Sequence, residues 1–424
     1  MKLYKNNYQI PAIVCDAEKL SQVAIIQELG KLKIPIIAVS NKKKAIGFAS
    51  RYIEEKIICE IPSYEEKYAR FLVHCLPRGV IFYSNDANTE NIANNKNTLL
   101  KEGFGLLISD SSILKRVIEK DNLYSTGLEC SVRVPKSFVV SSYSNLMEVA
   151  SKVGFPLILK ATNLAGGVYR LARRQQELDI IFEEMRKTIN SEIWRHRKAR
   201  LIVQEWIPQQ NIRLWNFNAC VVGGEIISYS MGERIRTNIF QDGGVGSTLM
   251  YGISKYNESI LKENRKILKH LKYDGIVETE WSENVMSPEM TYLYDFNPRP
   301  SGNIRWAFQS GVSFVEDYYR VCLGLPLSNR SEMKEGVKYF KIFYHDNDFL
   351  KAIENPGLSF RKRISVLKED IIALLSYRRH AIDVLDVKDL GPTMIASRNL
   401  PILFLKGIIR LILSCPYRKL LKQI

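Results

Sequence analysis

Residues 276–299 read IVETEWSENVMSPEMTYLYDFNPR, and this stretch decides the fold. It holds two short segments rich in apolar side chains, residues 276–281 and 292–296, on either side of a polar loop. Such segments predict two β-strands. If the two strands form a hairpin, polar side chains from both can converge on one site.

Carboxylate and amide side chains mark one face of each predicted strand. Because side chains alternate between the two faces of a strand, Glu278 and Glu280 share a face. By the same rule, Asp295 and Asn297 share a face of the second strand. An incomplete cage of oxygen ligands suits Mg²⁺ that is shared with substrate phosphates. The alternative is a solvated polar face.

Two earlier segments are typical of a nucleotide site. Lys160 ends an apolar strand and precedes a loop with Gly166 and Gly167, so its charge and the glycine N–H groups suit phosphate oxygens. The alternative is an exposed lysine beside an ordinary turn. A strand at residues 201–205 runs into a turn whose backbone groups suit an adenine edge, or it is simply the end of a core strand. The adenine-segment residues are Gln204, Glu205, Trp206 and Ile207.

The order of these signals resembles the ATP-grasp superfamily over residues 116–327. Glu280–Trp281 matches the acidic residue that precedes an aromatic one in the superfamily. Residues 295–299, DFNPR, match its E-x-N-P-R motif with aspartate in place of glutamate. The resemblance also places Lys120 beside the ATP phosphates, in a segment that reads EK instead of DK.

The resemblance implies a fold of mixed α/β and α+β class. Strands alternating with helices over residues 11–110 favour a parallel sheet, which fits the Rossmann-like domain that commonly precedes an ATP-grasp fold. The implied units are a pre-ATP-grasp domain (1–115), a small subdomain (116–200), a large subdomain with the metal site (201–330) and a basic C-terminal appendage (331–424).

The same resemblance implies a chemistry with ATP and Mg²⁺ as cofactors. ATP binds between the two subdomains, and a substrate carboxylate attacks the γ-phosphoryl group to give an acyl phosphate that an amine then displaces. Arg299 reaches the transferred phosphoryl group, or it forms an ion pair with a neighbouring carboxylate instead. The implied phosphate ligands are Lys120, Lys160, Gly166 and Gly167, and the implied magnesium ligands are Glu280, Asp295 and Asn297.

Three arginines are candidates for the substrate carboxylate. Arg234 and Arg236 stand at strand spacing, on one face, within a loop over residues 232–247 and before its glycine-rich stretch. A planar guanidinium pairs with a carboxylate through two hydrogen bonds. Arg305 is the third candidate, for substrate binding and for catalysis, and the alternative for each is a surface or phosphate-binding arginine. The loop and the DFNPRPSG run resemble the carboxylate–amine ligase branch that includes D-aspartate ligases.

Composition and charge limit which classes of protein remain possible. The chain has 424 residues, 46% hydrophobic and 25% charged, which excludes a disordered chain and predicts two to four domains. The net charge of +16 alone suggests nucleic acid, but no nucleic-acid-binding motif is present, so nucleotides explain it better. The seven cysteines lack zinc-site or disulfide spacing, which favours a reducing cytoplasm. We expect neither a signal peptide nor a transmembrane helix.

The tail over residues 398–424 combines basic and apolar side chains with no acidic ones. A basic stripe beside a broad apolar face predicts a helix at the surface of an anionic membrane. The alternative is a terminal helix docked on the protein. The sequence thus favours a cytoplasmic protein that contacts the inner face of the membrane peripherally.

Two functions remain open at this point. The first is an ADP-forming ligase for a small-molecule carboxylate and an amine, acting on amino-acid or cell-envelope precursors. The second is a nucleotide-binding regulatory or scaffold protein with a degenerate site, which the replacements at Glu119 and Asp295 favour. The sequence leaves the substrate pair and the oligomeric state open.

Overall fold

The protein is described here by a computed structural model. Gly166, Gly167 and residues 399–424 of the predicted membrane tail lie outside the described residues. The structure describes residues 10–161, 169–190, 200–208, 211–239, 245–328, 332–343, 350, 352 and 358–398.

The N-terminal unit is a parallel sheet with helices packed on it, as the alternating pattern predicts. Its strands pair in the order β3-β2-β1-β4, and three of them are fully buried because their residues are almost all apolar. The strands are β1 (Ala12–Val14), β2 (Ile36–Ser40), β3 (Ile53–Ile58) and β4 (Val80–Phe82). The helices are α1 (Leu20–Lys31), α2 (Glu66–Cys75), α3 (Asp86–Asn94) and α4 (Lys96–Lys101).

A small antiparallel sheet follows, in the order β5-β8-β6-β7. Two helices lead into it and two cover it, and the sheet has its own apolar core around Leu146, Leu159 and Phe182. The strands are β5 (Ser137–Val140), β6 (Leu157–Ala161), β7 (Tyr169–Ala172) and β8 (Leu201–Glu205). The helices are α5 (Ser111–Ile118), α6 (Lys120–Glu129), α7 (Tyr143–Val153) and α8 (Leu178–Ile189).

The largest sheet has seven strands in the order β13-β12-β9-β10-β11-β14-β15. Its hairpin of β12 and β13 is the one that the opening stretch of sequence predicts. The strands are β9 (Ile212–Val222), β10 (Glu225–Ile239), β11 (Val245–Ser254), β12 (Gly275–Asn284), β13 (Ser287–Asn297), β14 (Lys338–Phe340) and β15 (His380–Ile382). The helices beside it are α9 (Glu258–Leu271), α10 (Arg305–Gln309) and α11 (Phe314–Cys322).

Two sequence expectations about this sheet are wrong. The predicted loop over residues 232–247 is largely strand, because β10 continues to Ile239 and pairs with β9 and β11. The predicted appendage is not separate either. Its strands β14 and β15 extend the large sheet, since Phe340 and Ile382 share an apolar core with Ala373 of the helix α12 (Phe360–Leu375). A last described helix, α13 (Leu390–Ser397), packs near residues 46–49.

No helix in the described part of the chain is long and apolar enough to cross a membrane. The six cysteines within the described residues are all free thiols, namely Cys15, Cys59, Cys75, Cys130, Cys220 and Cys322.

Candidate active site

The β12–β13 hairpin sets the register of the predicted metal ligands. Glu280 lies directly opposite Asp295, and Glu278 lies directly opposite Asn297. Directly opposed residues on antiparallel strands have Cβ atoms about 4.5–5.5 Å apart. The predicted alternation of side chains along each strand, together with this register, therefore brings four oxygen-bearing side chains together on one face of the sheet.

This face borders a cavity of about 250 Å³. Its wall includes the oxygen-bearing side chains of the hairpin, two arginines and one lysine, together with apolar and aromatic residues. The lining residues are Leu20, Asn216, Arg234, Leu249, Glu278, Glu280, Asp295, Asn297, Arg299, Gly302, Asn303, Tyr339 and Lys341.

Two lysines reach the hairpin from the small-sheet side. Lys120 is the first residue of α6, and its ammonium group forms an ion pair with Asp295. Lys160 lies near the end of β6, where burial and the charge of Lys120 lower its pKa to about 8, although Asp295 and Glu280 oppose that shift. The two lysines predicted from the sequence thus both lie near the carboxylate of Asp295.

The carboxylates on the hairpin are held by cations. Burial raises the pKa of Asp295, but Lys120 and Lys160 outweigh that effect and leave the pKa below its usual value. Glu280 forms an ion pair with Arg234, whose side chain is only 4% exposed. At neutral pH Asp295 therefore carries a negative charge inside a densely charged cleft.

Glu278 is central to the site, although the sequence motif leaves it without a role. One carboxylate oxygen accepts a 2.7 Å hydrogen bond from Asn216, and the other accepts a 3.3 Å bond from Asn297. Burial and the charge of Glu280 raise the pKa of Glu278 to about 7, against the pull of Arg299. Its position two residues before Glu280, on the same strand face, is the signal that pointed to it.

Arg299 connects the hairpin to the N-terminal unit. Its Nε lies 3.1 Å from Asp86 Oδ1 and its Nη1 lies 3.4 Å from Glu278 Oε2. Its Nη2 also donates a 3.1 Å hydrogen bond to Asn297 Oδ1. Burial lowers the pKa of Arg299, but Asp86 and Glu278 raise it more, so the net shift is upward. The ion pair weighed from sequence is present, and the guanidinium still lines the cavity.

We define the cleft cluster as Lys120, Lys160, Glu278, Glu280, Asp295 and Arg299. The donor chemistry of its hairpin fits a magnesium ion, because Glu280 and Asp295 face each other and Asn297 adds an amide oxygen. The described residues contain no group of three or more His, Cys, Asp or Glu side chains arranged to hold a metal. A metal here would therefore be held by two carboxylates and complete its shell with other oxygens.

Comparisons with known proteins point to one fold. The chain resembles N5-carboxyaminoimidazole synthetase from Staphylococcus aureus, with a TM-score of 0.60, 13% identity, and coverage of 80% of this chain and 83% of that one. It also resembles the biotin carboxylase domain of the Hydrogenobacter thermophilus 2-oxoglutarate carboxylase, with a TM-score of 0.61, 14% identity, and coverage of 78% and 74%. The chain has the ATP-grasp fold.

Sequence similarity to named proteins is weak. No family model matches the chain. The large chain of carbamoyl phosphate synthase from Clostridium botulinum is 20% identical over 326 residues, which is 76% of this chain. That match spans only 28% of the length of the curated relative. The ATP-grasp fold is therefore assigned from the structural comparison more than from the sequence comparison.

The predicted adenine segment begins within the small sheet, on the interior strand β8. β8 pairs on both sides, with Gln204 opposite Ser137 and Glu205 opposite Leu157. The Gln204 side chain donates a 2.9 Å hydrogen bond to Ser137, so Gln204 belongs to the sheet rather than to an exposed hinge. The segment continues beyond the strand as Trp206, which is half-buried, and Ile207, which is buried.

Arg234 and Arg236, both predicted to bind the substrate, lie in different surroundings. A register shift in β10 separates Arg234 from Arg236, so the two do not share the same neighbours. Arg234 lines the cavity, whereas Arg236 forms an ion pair with Glu369 and stacks over the Tyr251 ring at 5.2 Å. Because of this bulge Arg236 does not line the cavity, and its predicted role in substrate binding stays a prediction.

Arg305 is also withdrawn from the cavity. Its guanidinium donates to the side-chain oxygen of Gln27 and lies 3.8 Å from Asp386. Burial lowers the pKa of Arg305, although Asp386 opposes the shift. Arg305 does not line the cavity in this structure, because α10 directs its side chain toward the N-terminal unit, and its predicted catalytic and substrate-binding role stays a prediction.

We define the junction cluster as Gln27, Lys31, Arg305, Asp386 and Asp389. Gln27 donates a 3.0 Å hydrogen bond to Asp389, and Lys31 lies 2.7 Å from Asp386. The cluster joins α1, α10 and the C-terminal residues.

The C-terminal residues also supply cavity side chains that the sequence did not reveal. Tyr339 of β14 and Lys341 just after it line the cavity, and both are buried. Nothing in the sequence marked them, because strand pairing with β11 alone brings them to the ATP-grasp cleft.

Proposed function

We propose that this chain is an ATP-dependent ligase. It activates a substrate carboxylate as an acyl phosphate, couples it to an amine, and releases ADP and phosphate. The observation that carries the proposal is the meeting of Lys120 and Lys160 with Asp295 beside the cavity of an ATP-grasp fold. Two cations facing a carboxylate hairpin are suited to a polyphosphate and its magnesium ion.

The nucleotide is assigned to the side of the cleft that faces the small sheet. Lys120 and Lys160 bind its phosphates, and the Gly166–Gly167 loop keeps its predicted role there. The adenine lies against Trp206 and Ile207. Glu205 reinforces this segment, since its backbone N–H donates a 2.8 Å hydrogen bond to the carbonyl oxygen of Lys136. This bond fixes the strand end that leads into the segment.

Glu280, Asp295 and Asn297 are assigned to Mg²⁺. The ion neutralises phosphate charge when it is bound. Lys120 and Arg234, which pair with the two carboxylates in this structure, supply positive charge beside the anionic oxygens of the ligands. The Hydrogenobacter domain is described in complex with MgADP and bicarbonate, and its MgADP supports a magnesium-bound adenine nucleotide here.

Arg299 is assigned to the transferred phosphoryl group. Phosphoryl transfer depends on positioning and on charge neutralisation more than on a strong base. Asp86 and Glu278 hold the guanidinium of Arg299 from two sides, so its orientation is fixed before a ligand arrives. A preorganised cation stabilises the negative charge of the transition state without reorganising. Glu278 is therefore a positioning residue.

The substrate carboxylate is assigned to the wall that holds Arg234 and Lys341. Lys341 is only 8% exposed, so an anion that reaches it leaves bulk water. Charge pairs become stronger where water is excluded. Tyr339 and Leu249 complete this wall with aromatic and apolar surface, which favours a small organic acid.

The free cysteines fit the reducing compartment predicted from the sequence. We therefore retain the proposal of a cytoplasmic enzyme.

The direct test is ADP release with Mg-ATP and panels of small carboxylic acids and amines. We expect turnover with at least one pair, and loss of turnover in Lys160→Ala. Lys152→Ala is the matched control, because Lys152 lies in the same subdomain but forms an exposed ion pair with Glu148. Failure of the wild-type chain to bind Mg-ATP would refute the proposal.

A regulatory or scaffold protein with a degenerate nucleotide site is the second candidate. The observation that favours it is that Asp295 and Glu280 are both ion-paired with side chains of the protein itself. It predicts ATP binding without ADP release for every substrate pair. Calorimetric binding of ATP, measured beside the turnover assay, separates the two functions.

A further inference from the structure

The C-terminal module, residues 358–398, has an unusual surface. Fifteen of its residues are exposed, and apart from Ser359 they are either basic or large and apolar. The basic ones are Arg361, Lys362, Lys368, Arg378, Arg379, Lys388 and Arg398. The apolar ones are Ile371, Ile372, Leu375, Val387, Leu390, Met394 and Ile395.

The acidic residues of the module face inward or are ion-paired, so no exposed residue within 358–398 is acidic. Glu369 is half-buried and forms an ion pair with Arg236. Asp370 and Asp383 are buried, and Asp383 accepts hydrogen bonds from the backbone after β14. Asp386 and Asp389 belong to the junction cluster. The fold thus removes negative charge from this surface.

The exposed residues of α12 form an ordered stripe. Lys368, Ile372 and Leu375 follow one another at helical spacing, and Ile372 and Leu375 are 60% and 81% exposed. The opposite face of the helix holds the buried Val366 and Ala373, which pack into the protein. The exposed apolar stripe is therefore additional to the face that packs against the sheet.

We propose that this surface docks on an anionic lipid bilayer. Apolar side chains surrounded by basic ones suit the boundary between lipid headgroups and acyl chains, and anionic lipid attracts the basic residues. The inference goes beyond the ligase reaction and does not depend on it. It concerns residues 358–398, so it is also separate from the predicted contact of residues 399–424.

Charge and composition favour lipid over two other occupants. Residues 399–424 contain Lys406, Arg410, Arg418, Lys419 and Lys422 and no acidic residue, so covering a basic surface with them would bring like charges together. Nucleic acid is disfavoured because none of the exposed residues of the module is aromatic, and single strands are bound largely by stacking on aromatic side chains. An anionic bilayer complements both the module and the residues that follow it.

The test is flotation of the full chain with vesicles. One set contains phosphatidylcholine with about 30% phosphatidylglycerol, and the other contains phosphatidylcholine alone. The variant Ile372→Glu/Leu375→Glu changes the α12 stripe. The control Ile180→Glu/Leu128→Glu makes the same charge change at side chains that are 67% and 65% exposed elsewhere. Met394→Glu/Ile395→Glu on α13 is a second, independent variant, and thermal melts check that each variant folds.

We expect wild type and control to float with anionic vesicles only, and the α12 variant to partition about ten-fold more weakly, since apolar burial and charge both contribute to binding. The proposal is overturned if wild type does not float or if both vesicle sets bind it equally. It is equally overturned if folded α12 and α13 variants float like the control, because residues 399–424 would then carry the binding. If an oligonucleotide with the same total charge as the anionic lipid displaced the protein from the vesicles, the surface would be assigned to nucleic acid instead.

Discussion

The cleft cluster contains a half-buried arginine and the junction cluster a buried one, and the two arginines are only six residues apart. Arg299 is held by Asp86 and Glu278 and borders a cavity of about 250 Å³. Arg305 is enclosed by Gln27 and Asp386 and does not line that cavity. Both arginines have acidic neighbours, so the difference lies in the space beside them.

The contrast shows what separates a binding site from a structural connection. In the cleft cluster, the nearby acidic groups shift the pKa of Arg299 upward, and the guanidinium stays accessible to a ligand. In the junction cluster, burial dominates and lowers the pKa of Arg305, while its partners come from two other parts of the fold. Buried charge alone therefore does not identify a catalytic residue.

The largest effect is expected for Asp295→Ala, which removes the carboxylate at the centre of the cleft cluster. We expect kcat to fall by about 10²–10³-fold, the range found when a preorganised electrostatic group is lost. Asp389→Ala is the control, because it removes a buried carboxylate from the junction cluster instead. Activity is measured as steady-state ADP release and stability by thermal melts. If both variants had the same melting temperature and lost the same share of activity, the difference between the two clusters would be contradicted.

The two arginines give the sharpest comparison. Arg299→Met should lower kcat by about 10²-fold, because phosphoryl transfer depends on charge neutralisation. Arg305→Met should leave kcat nearly unchanged, while Arg305→Ala should lower the free energy of unfolding by about 1–3 kcal/mol, because the buried side-chain oxygen of Gln27 loses its donor although Lys31 still pairs with Asp386. Denaturant unfolding and turnover are measured on each variant. An active Arg299→Met together with a stable but inactive Arg305→Met would reverse the assignment.

Lys341→Met tests the wall supplied by the C-terminal residues. We expect KM for the carboxylate substrate to rise about ten-fold, as for the loss of one charge-assisted contact, with the Kd for ATP unchanged. Lys338→Met is the control, since Lys338 lies three residues earlier, on β14, but does not line the cavity. A rise in the ATP Kd instead would move Lys341 to the nucleotide side.

The smallest effect is a pH dependence of ATP binding. Lys160 has a pKa of about 8 without ligand, and bound phosphate raises it, because the anion favours the protonated amine. Binding therefore takes up a proton above pH 8, and the ATP Kd should rise by up to about ten-fold per pH unit there. Lys160→Arg, which stays charged, should remove this slope. An equal slope in both proteins, measured by calorimetry from pH 7 to 9.5, would assign the titration to another group.

The sequence by itself determined the hairpin of this protein and the oxygen-bearing side chains on it. Strand alternation put Glu278 with Glu280 and Asp295 with Asn297, and β12 and β13 pair in the register that brings these side chains together. The turn between β9 and β10 is also local, because Gly223 and Gly224 both have positive φ and two glycines between strands are a hairpin signal. These features depend on residues close together in the chain, so local rules are sufficient.

Only the tertiary structure decided which charged groups share the cavity. Arg236 lies outside the cavity because a strand bulge changed its neighbours, and Arg305 does so because a distant helix supplied Gln27. Lys341 was missed because its place depends on β14 pairing with β11, more than 80 residues earlier in the chain. Such placements follow from packing and register between distant segments, which the spacing of residue types along a chain does not encode.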